Sequence, residues 1–368
     1  MKRAKPPYRA DHVGSLLRPA ALKAVRERYA AGEITATALH DVEDYEIENI
    51  IRKQEALGLQ SISDGEFRRS WWHLDFLWGL DGVERHVMDT GIAFAAVTTR
   101  NEGVRVTGKL GFSGHPMLEH FKFLQAHTKR TPKMAIPAPS ALYGRPVRTP
   151  IDQSIYPTLD EFFYDLGQAY RKAVRAFADA GCRYLQLDEV YMIVLVDPKQ
   201  RQFFIEHGND PDKLPELYSS ATNAALKDKP ADMVTAMHLC RGNFRSTYQG
   251  SGGYDAIADI LFNKTNIDAY FMEYDTERAG GFEPLRLLPK GKKVVLGLVT
   301  SKTGKLESKD EIKRRVEEAT KYVDIDQLCL SPQCGFASTE EGNLLSEDEQ
   351  WAKLGFVVEV AGDIWGHA

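Results

Sequence analysis

Eight short apolar runs punctuate the chain, and a helical stretch follows most of them. The runs cover residues 10–15, 61–65, 133–137, 184–187, 233–237, 269–272, 293–298 and 327–330. Helical periodicity covers 20–58, which opens after a proline, then 159–181, which ends in glycine, then 212–227, 309–323 and 346–360. Strands separated by helices cannot be joined by tight hairpins, so the crossovers force a parallel sheet with helices packed on its faces. Eight such units fit one closed (β/α)8 TIM barrel, α/β in class and spanning residues 1–368, better than an open sheet. Polar residues stand at the C-terminal end of most runs: Asp64 and Glu66, Ser140, Asp188 and Glu189, His238 and Cys240, Glu273 and Asp275, Thr300 and Lys302, and Cys334. A barrel assembles its active site there, from the loops that follow its strands, whereas an open sheet gathers it at one switch point.

The stretch from 80 to 131 breaks the rhythm. Residues 92–99, the glycine-containing 101–103 and 104–107 read as a β-hairpin excursion in the loop after the second strand. A plain insertion and a lid over the site fit that position equally well.

Composition narrows the class. Of 368 residues, 43% are hydrophobic and 27% charged, enough for a large core and far from a disordered chain. Forty-seven Lys and Arg against 52 Asp and Glu give a net charge of −5, which leaves no basic field for nucleic acid. The basic N-terminus has no apolar stretch behind it to make a secretory signal, and no apolar run approaches the ~20 residues of a membrane span. Four cysteines in such a chain read as ligands, nucleophiles or packed thiols rather than as a disulfide framework, and the cytoplasm is the expected compartment.

The sharpest local signal is His238-Leu239-Cys240. In an extended chain, positions i and i+2 share a face, so the imidazole and the thiol point the same way at a strand's end. Glu273 ends the sixth run and Cys334 follows the eighth, and a barrel would set these ends around one mouth. One imidazole, two thiols and a carboxylate make a zinc set, because thiolates select zinc over magnesium or calcium. Taken one at a time, the cysteines read as well as packed thiols and Glu273 as a solvated carboxylate.

These segments, with Asp188-Glu189 and Gly14-Ser15, resemble the catalytic barrel of the cobalamin-independent methionine synthases over nearly the whole chain. They resemble most the single-barrel branch, which is similar also to epoxyalkane:coenzyme M transferase. The resemblance implies zinc as cofactor, with His238, Cys240, Glu273 and Cys334 as its ligands. It further implies that Asp188 and Glu66 hold the ammonium of homocysteine and that the Gly14-Ser15 backbone meets its carboxylate. The implied reaction moves a methyl group from methyltetrahydrofolate or a methyl-corrinoid to the zinc-held thiolate of homocysteine, giving methionine. Alkyl transfer to another thiol such as coenzyme M is one alternative, although a sulfonate thiol would leave Asp188 and Glu66 idle. A non-catalytic barrel with a structural zinc is the other.

One family feature is missing. The synthases carry a histidine after the seventh strand, implicated in proton supply, where this chain reads Val299-Thr300-Ser301-Lys302-Thr303. Lys302 or a carboxylate would then deliver the proton, unless the donor is a methyl-corrinoid or the reaction is another alkyl transfer. No histidine is legible beside the ligands as a base. Trp71, Trp72 and Phe76 read either as a stacking surface for a flat ligand or as core. Arg68 and Arg69 read as contacts to a carboxylated tail or as ion-pair partners of Glu66 and Asp188. The role of His12, just before Gly14-Ser15, stays open. The glycine-rich 248–254 loop lacks the ending of a phosphate-binding loop, and Cys182 and Cys329 read as packing.

Overall fold

Alternation along the later strands sorts their side chains onto two buried faces. The chain forms β1 (Ser61–Ile62), β2 (Asp81–Val87), β3 (Glu102–Gly111), β4 (Thr131–Pro132), β5 (Met134–Pro137), β6 (Tyr184–Glu189), β7 (Val234–Leu239), β8 (Ala269–Glu273), β9 (Lys293–Val299) and β10 (Leu328–Pro332). The computed structural model describes residues 3–144 and 151–367. Tyr184, Ala236, Ala269, Phe271, Val295 and Cys329 gather with Val13 in a small cluster of their own. Their neighbours Leu185, Met237, Met272, Leu296 and Leu330 pack into the large core on the other face. Burial on both faces is why these strands read as continuous apolar runs.

Strands β5 to β10 make one parallel sheet in the order β10-β9-β8-β7-β6-β5. The first two runs do not extend it into the expected closed eight-stranded ladder among the described residues. Run 10–15 makes a single parallel bridge, Ala10 to Leu330. Two-residue β1 pairs with β4, Ser61 opposite Thr131 and Ile62 opposite Pro132. Two features of the backbone cut these ladders short. Pro132 has no N–H to donate, and Gly14 takes φ +133°. Side chains bridge the seam instead. Asp11 Oδ1 accepts from Ser61 Oγ at 2.7 Å, Gly14 O accepts from Ser63 Oγ at 2.6 Å, and His12 Nε2 lies 3.1 Å from Ser61 O.

The excursion after β1 is also paired differently from the expectation. Its antiparallel partners are β2 and β3, with Val87 opposite Glu102 and Arg85 opposite Val104. Residues 92–99 belong to the connection between them, closed on itself by an Ala93–Thr98 bridge. Gly103 lies inside a strand, not at a turn. Strand β2, DGVERHV, is mostly exposed or half-buried, so its hydrophobic alternation is weak.

The helices follow their periodicity with one break. Residues 20–58 form two helices, Ala20–Ala30 and Ala36–Ala56. Gly32 at φ +74° lies in the break, and Thr35 caps the second helix by accepting from Ala38 N at 3.2 Å. Glu347–Trp365 starts with a capping box between Ser346 and Glu349. No helix among the described residues is long and apolar enough to cross a membrane.

Candidate metal centre

Period-2 alternation on the parallel sheet carries the polar residues to one end of one face. His238 is the penultimate residue of β7 and Cys240 follows that strand, so the two share a side. Asp188 of β6 is the register neighbour of His238, and Glu273 closes β8. Cys334 stands two residues beyond β10, whose end approaches β9 so closely that a Cβ on Gly297 would lie 2.7 Å from Gln333 Cα. Glycine is the residue that permits this approach.

One donor atom from each of His238, Cys240, Glu273 and Cys334 lies within 4.8 Å of the others, and all four residues are buried. The spacings suit a tetrahedral zinc. Two sulfurs each ~2.3 Å from such an ion stand ~3.8 Å apart, and a nitrogen at ~2.05 Å stands ~3.6 Å from either. Cys240 Sγ and Cys334 Sγ are 3.7 Å apart, and His238 Nε2 is 3.4 Å from Cys334 Sγ. The donor chemistry fits as well, two soft sulfurs with an imidazole and a carboxylate.

The electrostatics describe a cage short of positive charge. The hydrogen bond between the thiols pushes Cys240 well up and Cys334 well down, so the pair shares one proton more readily than it holds two. Burial opposes a charge on His238, but the Cys334 sulfur, with Asp188 and Glu273, lifts it above its ordinary value. Burial also raises Glu273, whose Oε1 accepts from Arg241 N at 3.0 Å and whose Oε2 lies 3.4 Å from Arg278.

Beside this cage opens a pocket whose wall includes His238, Cys240 and Cys334 but not Glu273, together with Ser15, Glu66 and Asp188. Burial pushes Asp188 up to about 6 against the pull of His238, while Gln186 donates to it at 2.7 Å. Burial pushes Glu66 up to about 7 against the pull of Arg69, 3.6 Å away. Glu66 Oε2 accepts no hydrogen bond. Its backbone sits at φ +61°, a conformation that costs a residue with a side chain about 1–3 kcal/mol. The sharp Asp64-Gly65-Glu66 turn, closed by Glu66 N donating to Asp64 Oδ1 at 2.9 Å, imposes it.

The other expected residues divide. Trp71 and Trp72 line the pocket, whereas Phe76 is core, packed on His115 and Tyr170. Arg69 is buried and donates to Ala135 O at 2.5 Å, and Arg68 pairs with Asp44 and Glu43. His12 is buried, and burial lowers it to about 4. Cys182 and Cys329 are buried away from the cage. Gln249 of the glycine-rich loop lines the pocket. Lys302 does not: its Nζ donates to Gln333 Oε1 at 3.4 Å, although its charge reaches Glu273, Cys240 and Cys334 and lowers each.

Sequence reasoning missed three wall residues. His73, 3% exposed, follows the two tryptophans and hid within an aromatic stripe. Asn243, also on the wall, donates through Nδ2 to Gly335 O at 2.8 Å, and its buried Oδ1 has no partner among the described residues. Phe94 comes from the connection between β2 and β3, lies 5.6 Å from Phe244 with the rings tilted by 46°, and brings the excursion to the pocket wall.

The family described as cobalamin-independent synthase, catalytic domain, matches residues 9–363. The chain is 50% identical over 366 residues to the uncharacterized protein YxjH of Bacillus subtilis (strain 168), across 99% of this chain and 96% of that one. Its structure is similar to a solved Listeria monocytogenes protein of the vitamin-B12 independent methionine synthase type. That match has a TM-score of 0.78 at 44% identity and covers 98% of this chain and 99% of the other. A B12-independent methionine synthase from Shewanella sp. W3-18-1, solved in complex with selenomethionine, shares the fold at TM-score 0.72 and 20% identity, across 97% of each chain. The chain is thus a member of the cobalamin-independent methionine synthase family, built on its catalytic domain.

Proposed function

We propose that this chain is a zinc-dependent thiol methyltransferase whose acceptor is homocysteine and whose product is methionine, and that its α/β fold acts as a TIM barrel with the site at the C-terminal ends of the strands. One observation carries the reading: a thiol-rich donor cage and two buried carboxylates without full neutralisation line a single pocket. His238, Cys240, Glu273 and Cys334 would hold the zinc. The ion supplies the means to keep a substrate thiol ionised near neutral pH, where a free thiol of pKa ~8.5 is mostly protonated.

The chain's own residues do the rest. Asp188 and Glu66 receive the ammonium, which supplies the positive charge their burial denies them. The Gly14-Ser15 backbone receives the carboxylate. Trp71 and Trp72 offer flat apolar faces to the methyl donor, methyltetrahydrofolate or a methyl-corrinoid, and the β2–β3 connection covers the mouth against water.

The test is product analysis. Zinc-loaded protein given homocysteine and either methyl donor is expected to form methionine, and to leave coenzyme M unalkylated under the same conditions. Alkylation of coenzyme M alone would move the chain to the other branch. Unfolding on zinc removal without thiol alkylation would make the metal structural.

A further inference from the structure

The geometry points to His73 as the proton carrier of this site, taking the proton from the arriving thiol and delivering it to the nitrogen of an N-methyl donor. The inference rests on the thiol methyltransferase reading above. Methyl transfer from nitrogen to sulfur balances as R–SH plus CH3–NR2 giving R–S–CH3 plus H–NR2. The S–H and C–N bonds break, the S–C and N–H bonds form, and nothing is oxidised or reduced. The C–N electron pair leaves with nitrogen, so the hydrogen that came in on sulfur must end there. Some group within the pocket has to move it.

The segment after β9 does not offer that group. Lys302 is off the pocket wall and donates to Gln333 Oε1, and Ser301 donates to the same oxygen at 2.8 Å. Of the chain's ten histidines, two are on the wall. His238 belongs to the ligand cage, which leaves His73.

Its surroundings suit the task. The His73 ring lies 4.4 Å from Trp72, tilted by 33°, and 5.9 Å from Trp71, edge-on. A flat heterocyclic donor stacked on these indoles has its ring edge beside the imidazole. At 3% exposure and on the pocket wall, the ring is screened from bulk water and borders the space a substrate fills. The other acids on the wall, Glu66 and Asp188, are engaged by the ammonium. An imidazole is also the side chain best matched to accept and return a proton near neutral pH.

His73→Gln in the zinc-loaded protein tests this, with three readouts. Methylation of homocysteine by the N-methyl donor is expected to fall about 100- to 10,000-fold. Methylation by methyl iodide, whose leaving group needs no proton, should stay within about threefold, with zinc content unchanged. At pH 8, titration with homocysteine should release up to about one more proton per site from the variant than from the wild type, because His73 no longer retains it. His73→Gly rescued by free imidazole is the second variant, in case Gln perturbs the tryptophans.

Equal loss with both donors and no imidazole rescue would make His73 structural and overturn the proposal. So would an undiminished N-methyl rate, or a wild type that takes methyl groups only from a corrinoid. A wild type that alkylates no thiol with any donor, methyl iodide included, sinks the methyltransferase reading itself, and does so before any variant is compared.

Discussion

Lys133 and Asp11 meet as an ion pair 3.4 Å apart where the first run closes against β4 and β5, with 1% and 0% of their side chains exposed. Lys133 Nζ also donates to His12 O and lies 4.0 Å from the Phe271 ring centre. Asp11 accepts from Tyr184 OH at 2.9 Å and Ser61 Oγ at 2.7 Å. The pair thus does with side chains what a backbone ladder does elsewhere around the sheet. Burial pulls Lys133 below its ordinary value and Asp11 pulls it back up.

Removing one partner leaves the other buried without a counter-charge. Lys133→Met is therefore expected to cost about 3–5 kcal/mol of unfolding free energy, measured by urea titration. The double variant Lys133→Met with Asp11→Asn should cost less than the sum of the two singles, since neither charge is then stranded. Strict additivity would mean that the two residues do not hold the seam together.

Glu66 gives a stability prediction with a definite sign. Its carboxyl rises from an ordinary 4.5 to about 7 through burial, so the folded chain binds this proton more tightly than the unfolded one. That contribution is complete below the unfolded value and is lost as pH rises through about 7. Asp188, raised from 3.8 to about 6, behaves alike. The metal-free protein should therefore lose stability between about pH 4 and 7 from these two groups. Glu66→Gln should flatten the curve and stabilise the protein at pH 8 by about 1–3 kcal/mol, while weakening homocysteine binding. Thermal melts across pH 4–8 check it, and a variant with the wild-type slope would contradict the assignment.

The same residues show what the sequence makes legible. Strands β6 to β10 are read within a few residues because both their faces are buried and the apolar runs are continuous. His238 and Cys240 are read from period-2 spacing, and Glu273 and Cys334 from their places at strand ends. The seam is not legible, because Asp11, His12 and Ser61 close it through side-chain bonds that leave no hydrophobic pattern. Strand β2 hides for a related reason, being short of apolar residues. His73 was illegible because its meaning depends on the long-range approach of β1's loop to the ends of β7 and β10.

Asp188 should separate amine recognition from thiol recognition. It is buried, and among the described residues Gln186 is its one side-chain hydrogen-bond donor. Asp188→Asn removes its charge at constant shape, and a hydrogen bond to a charged group contributes about 1.5–3 kcal/mol, roughly 10- to 150-fold in affinity. Homocysteine binding should weaken by that factor. Binding of 4-mercaptobutanoate, the same thiol without its amine, should hold within about threefold. Isothermal titration of the two thiols makes the comparison, and equal weakening would show that Asp188 positions His238 rather than the substrate.

The cage predicts how the chain responds to losing its metal. His238 and Glu273 lie within strands of a parallel sheet held by its own backbone hydrogen bonds, and Cys240 N donates to Glu189 O at 2.8 Å. A strong chelator should therefore leave the circular dichroism intact and lower the melting temperature by no more than the binding free energy of zinc allows. Cys334→Ser takes away a soft donor and the sulfur that sits beside both Cys240 and His238. It should lower zinc affinity at least ~100-fold, abolish thiol methylation and leave the fold in place. Full zinc retention by that variant, read by metal analysis after dialysis, would remove Cys334 from the ligand set. Collapse of the fold on chelation would instead show that zinc holds the ends of β7, β8 and β10 together, because a cage built only for catalysis has no such duty.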